Sequence, residues 1–154
     1  MARILCSYDS GAVSYAANTT KTILSLGAPT NQGVAWLRLV ISAEGVAAAD
    51  KPALVEWGLI TGTGTGATEQ LIAAPQINQT SAPTPQGVIE TWSSEPTWSA
   101  VKGSIYCHLQ SGYERVFQRG QDEVAYYGVK FGVRVTNPTG NSTTNIRATL
   151  EWEE

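Results

Sequence analysis

The chain has little charge. Asp, Glu, Lys and Arg make up 15 % of its 154 residues, against roughly 25 % in an average soluble domain. Its ten Lys and Arg residues are scattered singly and the net charge is −3, so no basic stripe exists to neutralise a row of phosphates, and nucleic acid is not an expected partner. Histidine occurs once, at His108, and cysteine twice, at Cys6 and Cys107. Two cysteines so far apart suit neither a disulfide framework nor a metal site, and both are expected as reduced, mostly buried thiols. No run approaches the roughly 18 apolar residues of a membrane helix. Met1 to Cys6 also lacks the apolar stretch of a secretory leader, so synthesis in a cytoplasm and no membrane partner are expected. The Asn-x-Ser/Thr triplets at Asn18, Asn78 and Asn141 then read as turn composition, not glycan sites.

Helix-forming material is equally scarce. Only Ala67 to Ala74 offers a helical turn or two before Pro75 stops it, so the crossover helices of an α/β fold have nothing to be built from. Period-two alternation dominates instead. Val129, Phe131, Val133 and Val135 share one face, with Lys130 and Arg134 on the other; after the turn residues Asn137 to Asn141, Ile146, Ala148, Leu150 and Trp152 alternate with Arg147, Thr149, Glu151 and Glu153. These segments predict neighbouring antiparallel strands with one dry and one wet face. Further strands are expected over Thr19 to Leu26, Val34 to Ile41, Leu54 to Ile60, Ser104 to Leu109 and Arg115 to Gln118. In Val34 to Ile41 the pattern sets Leu37, Leu39 and Ile41 against Trp36 and Val40. The expected fold is all-β, a two-sheet β-sandwich with a jelly roll ahead of an immunoglobulin-like arrangement. A long loop is expected after Ile60, and the chain divides into an N-terminal arm or edge strand (1–18) and a sandwich domain (19–154).

Candidate chemistry is thin. Gly62 to Ala67 formally satisfies a dinucleotide fingerprint, but the helix that would hold a pyrophosphate is cut off at Pro75, which leaves a loop. His108 and Cys107 are neighbours in an expected strand, where their side chains point to opposite faces and cannot form a nucleophile–base pair. The acids Asp122, Glu123, Glu151, Glu153 and Glu154 lie in a loop and near the C-terminus, with neither the cleft of a glycosidase nor the alternation of a calcium loop. No catalytic residue, metal ligand or cofactor is therefore expected. Trp57 and Trp152 keep strand alternation and belong in the core. Trp92 and Trp98 flank a Ser-Ser-Glu-Pro-Thr stretch, where each is a candidate to anchor a protein interface, stack on a sugar, or cap the sandwich end.

The N-terminal segment is the other candidate contact. Arg3, Ile4, Leu5, Tyr8, Val13 and Tyr15 include enough apolar area to require burial, while Asp9 to Gly11 interrupts the segment. It is expected either to clamp a neighbouring chain by strand addition or to pair as an edge strand of its own subunit.

Val13 to Leu26 (VSYAANTTKTILSL), Pro52 to Thr68 (PALVEWGLITGTGTGAT), Glu95 to Trp98 (EPTW) and Tyr127 to Glu154 together cover much of the chain. They resemble small β-rich virion proteins of tailed bacteriophages, the head decoration or cement proteins above all. The resemblance implies a jelly-roll-like domain on the capsid exterior that binds the major capsid protein. It also implies contact with copies of itself, a homotrimer being the first expectation. A carbohydrate-binding β-sandwich module and a phage tail or neck component are the alternatives.

Overall fold

The computed structural model describes residues 4–62, 68–70, 86–118, 124–125 and 128–154, with the backbone alone for 68–70 and 124–125. Its elements in chain order are β1 (Leu5–Asp9), β2 (Val13–Tyr15), β3 (Thr19–Gly27), β4 (Val34–Glu44), β5 (Ala53–Ile60), β6 (Thr68–Gln70), β7 (Val88–Thr91), β8 (Trp98–Cys107), β9 (Tyr113–Val116), β10 (Val124–Ala125), β11 (Lys130–Asn137) and β12 (Thr144–Glu153). All described pairings are antiparallel. They form two sheets facing each other.

In one sheet, β12 is flanked by β4 on one side and by β1 and β2 on the other, while β9 and β10 pair with the far edge of β4. The other sheet runs β6-β7-β3-β11-β5-β8. The first strand thus pairs with the last, and the chain alternates between sheets at β2–β3, β3–β4, β4–β5, β8–β9, β10–β11 and β11–β12. This is the jelly-roll arrangement of a β-sandwich, with β6 and β7 added beyond β3.

The alternation read in β11 and β12 is the alternation of burial. Phe131, Val133 and Val135 from one sheet meet Ile146, Ala148, Leu150 and Trp152 from the other in a single core, each at most 1 % exposed. Trp36 fills the middle, its ring edge-on to Phe131 at 4.7 Å and to Phe117 at 5.9 Å, a geometry favoured by the aromatic quadrupole. In β4 the simple alternation fails. The register shifts opposite Glu151 and Trp152, so that Trp36 pairs with Trp152 but Arg38 pairs with Glu151. Leu37 is the extra residue, and the bulge puts Trp36 on the same buried face as Leu39 and Ile41.

Other expectations are corrected. Thr68–Gln70, inside the stretch read as a helical turn, is a strand paired to β7. The long loop expected after Ile60 contains both β6 and β7, whereas its residues 63–67 and 71–85 lie outside the described residues. Trp98, which closes the Ser-Ser-Glu-Pro-Thr stretch, opens β8. His108 follows β8 in a turn, not in the strand.

One end of the sandwich is tied by polar side chains. The Asn137 amide donates to the carbonyls of Tyr15, Ala16 and Ser142, and Gly140 takes the left-handed φ of 89° that its turn requires. Asp50 accepts from the Ser142 and Ala47 N–H groups at 2.9 and 2.8 Å and from the Ser142 hydroxyl at 3.2 Å. These bonds, the Ser142 N–H first, hold its carboxyl below the ordinary value of 3.8. A depressed folded-state pKa contributes stability above the unfolded value, and that stability is lost as the pH falls through the folded value. The Asp50→Asn variant is therefore expected to melt below wild type at neutral pH, with the gap closing in acid below about pH 4. Thermal melts of both proteins across that range check this; a gap that persists at low pH contradicts it.

Candidate interaction surfaces

The chain reaches β8 from β7 across the outer face of the β11 sheet. After β7, residues 92–97 return over β3 and β11 to reach β8 on the opposite edge, and Thr97 accepts the Thr61 N–H at 3.0 Å. Two tryptophans pin this return. Trp92 donates its indole N–H to the Ser25 hydroxyl at 3.1 Å, and Lys130 stands 5.6 Å from its ring centroid. Trp98 donates to the Thr22 hydroxyl at 3.0 Å, and the Arg134 guanidinium stands 4.6 Å from its ring. Lys130 and Arg134 lie four positions apart on β11, so both reach this face by strand periodicity. Between them, Glu95 accepts from the Thr22 N–H and hydroxyl, both at 2.7 Å.

Each cation over an indole also holds an acid. Lys130 meets Glu90 at 2.5 Å, and Arg134 meets Glu56 at 2.8 Å. The Glu90 side chain is only 1 % exposed, and it also accepts from Ser25 at 3.3 Å. A carboxylate so deep must keep its counter-charge, because losing one partner strands the other. Trp92 and Trp98 are thus brought onto one sheet face, half-buried, with their N–H groups used and a cation over each ring. They cap the sheet.

The N-terminal candidates divide. β1 pairs with β12 from Leu5↔Glu153 to Asp9↔Thr149, and β2 pairs with the same strand further along. The Ile4 and Glu154 backbones exchange hydrogen bonds at 3.1 and 3.0 Å. Ile4 and Tyr15 are buried in their own core, whereas Leu5, Tyr8 and Val13 are half-buried. The segment thus sits as an edge strand of its own subunit, the second of the two expected arrangements, and Ile4 and Tyr15 have no surface to offer a neighbour. Arg3 lies outside the described residues. The C-terminal acids are held within the fold. Glu153 is 8 % exposed, and the Glu154 side chain accepts from the Gln86 and Gly87 N–H groups, both at 2.8 Å. Asp122 and Glu123 lie outside the described residues.

The outer face of the β12 sheet carries paired charge. Arg38 bridges Glu114 at 2.6 Å and Glu151 at 3.1 Å, and Arg147 lies 3.6 Å from Asp9. Among the described residues, two of the clefts are small. One of about 140 Å³ is lined by Gly27, Ala28, Val88, Glu90, Gly128 and Lys130; one of about 180 Å³ is lined by Ala12, Ser42, Ala43, Glu44, Asn145 and Arg147. Both fall below the roughly 300 Å³ at which small-molecule pockets begin. Among the described residues no group of three or more His, Cys, Asp or Glu side chains is placed to hold a metal ion.

The remaining surface feature is one margin of the sandwich. The large apolar side chains most exposed among the described residues are Val101, Ile105 and Tyr106 on β8 and Val116 on β9, with Tyr106 71 % and Val116 67 % exposed. These strands follow one another in sequence and lie at the same side, where Tyr113 stacks on Trp57 at 6.3 Å and Arg115 spans Trp57 and Phe117. Sequence reading missed this margin, since valine, isoleucine and tyrosine in a strand read first as core. The signal that marks it is the run Val101 to Tyr106, in which period two is absent. No family model, curated protein or solved structure matches the chain.

Two outcomes follow from this geometry. Lys130→Met leaves the Glu90 carboxylate buried without its cation; a fully buried pair broken this way costs about 3–5 kcal/mol. Because Lys130 is 27 % exposed, a loss near the low end is expected in urea unfolding, and Glu90→Gln in the same chain should recover part of it. No loss in the single variant contradicts the pairing. Burial, then the charge of Glu154, pushes the Cys6 thiol up to about 12. In a Cys107→Ser background, Cys6 should resist thiol reagents at pH 8 until the protein unfolds; immediate labelling shows that β1 is undocked.

Proposed function

We propose that this chain is a non-enzymatic structural protein of a tailed-bacteriophage virion, a head decoration (cement) protein that binds the major capsid protein on the outside of the shell. One observation carries the reading: a sandwich that holds its buried ions and the indoles of Trp92 and Trp98 within the chain exposes its large apolar side chains Val101, Ile105, Tyr106 and Val116 on the consecutive strands β8 and β9. Large apolar side chains exposed on neighbouring strands are suited to another protein surface. The resemblance of Val13 to Leu26, Pro52 to Thr68 and Tyr127 to Glu154 to phage virion proteins supplies the partner class. A glycan-binding reading asks for free indole faces, and Trp92 and Trp98 are each engaged with a cation on the sheet.

Co-sedimentation with empty heads, run beside a glycan array, tests this function. Burying a valine-sized side chain contributes about 1.5–3 kcal/mol, and about 1.4 kcal/mol is tenfold in affinity. Val101→Asp with Val116→Asp should therefore weaken head binding by at least about tenfold while leaving the melting temperature near wild type. Specific glycan binding without head association sinks the reading in favour of a carbohydrate-binding module. Sedimentation with tails alone favours a tail or neck component.

A further inference from the structure

The longest open sheet edge among the described strands belongs to β8, which pairs with β5 on one side and meets no strand on the other. A long apolar edge invites pairing, and proteins blunt such edges with bulges and lysines. The first half of β8 carries both devices. Its register with β5 shifts at Trp57/Gly58 and again at Leu59/Ile60, and Lys102 is the residue left over at the first shift. Close packing enforces the irregularity, because a Cβ on Gly58 would lie 2.1 Å from the Ala100 carbonyl oxygen.

The second half carries neither. Gly103 to Cys107 runs in unbroken register against Trp57 to Ala53, without a charged side chain, and exposes Ile105 and Tyr106. Regular backbone, polar groups that no described strand pairs and apolar side chains coincide there, on an edge otherwise guarded.

We propose that Gly103 to Cys107 pairs antiparallel with the same segment of a second copy of this chain, across a two-fold axis at Ile105. The inference rests on reading the β8–β9 margin as a protein contact and names the occupant of its β8 half. The segment is self-complementary about its middle residue. Ile105 meets its counterpart in the copy, Ser104 meets Tyr106, and Gly103 meets Cys107, so that small residues face larger ones and no like charges oppose. The contact is isologous and closes on itself, joining two sheets into one and removing both open edges. A heterologous ring, such as the expected homotrimer, would instead need β8 to add to a different edge such as β1.

Sedimentation equilibrium of the full chain should give the mass of two copies, and Ile105→Lys should give that of one with a near-unchanged melting temperature. Directly opposed residues in an antiparallel pair lie about 4.5–5.5 Å apart at Cα, inside the disulfide range of about 4.4–6.8 Å. In the Cys107→Ser background, Ile105→Cys should thus oxidise to a covalent dimer, whereas Val101→Cys and Val116→Cys should not. A wild-type monomer, a three-copy mass, or equal cross-linking at the three positions overturns the pairing. A monomer that still co-sediments with heads removes the pairing alone; one that does not removes the capsid reading as well.

Discussion

Everything in the sandwich leans on the pairing of β12 with its neighbours. Its even-numbered residues from Thr144 to Trp152 are buried without exception, and its two edges are both occupied, by β4 along one side and by β1 and β2 along the other. A strand held on three sides fixes the register of its whole sheet, because a slip of one residue would turn Ile146, Ala148, Leu150 and Trp152 outward. It also sets where the chain ends meet: β1 docks only because β12 presents a free ladder, and Glu154 then reaches the backbone at Gln86 and Gly87 beside β7. The fold is therefore closed by contacts of high sequence separation, a topology expected to fold slowly for its size.

The same closure engages the polar side chains on the outer face of the β11 sheet. The cations of β11 are held by Glu90 and Glu56 and covered by indoles, and Glu95 is spent on Thr22. Among the described residues, the exposed large apolar side chains lie on β8 and β9, and no described strand pairs with the outer edge of β8. In the function proposed above, that surface and the β8 edge are what the protein offers a partner.

Much of this was legible in the sequence, and the parts that were not have definite causes. Val129 to Val135 and Ile146 to Trp152 alternate strictly because their strands run between covered and wet sides, so the all-β sandwich followed directly. Bulges hid the faces of Trp36 and Leu39, since one extra residue at Leu37 inverts the parity of everything before it. Trp98 was obscured by Pro96, which reads as a breaker although it sits buried just before a strand. Val88–Thr91 is too short for a period to declare itself. The two fates of Ala2 to Tyr15 have identical apolar patterns, and only the free edge of β12, a long-range fact, separates them. The exposed margin was invisible because local sequence does not say which strand will be last in a sheet.

The central claim is that this sandwich works by mounting its β8–β9 margin against protein on a capsid. Electron cryomicroscopy of heads mixed with the purified chain tests it most directly. The account predicts density for the sandwich outside the shell, with Val101, Ile105, Tyr106 and Val116 covered by capsid protein or by another copy. Bare heads, or bound copies with that margin turned to solvent, would contradict it.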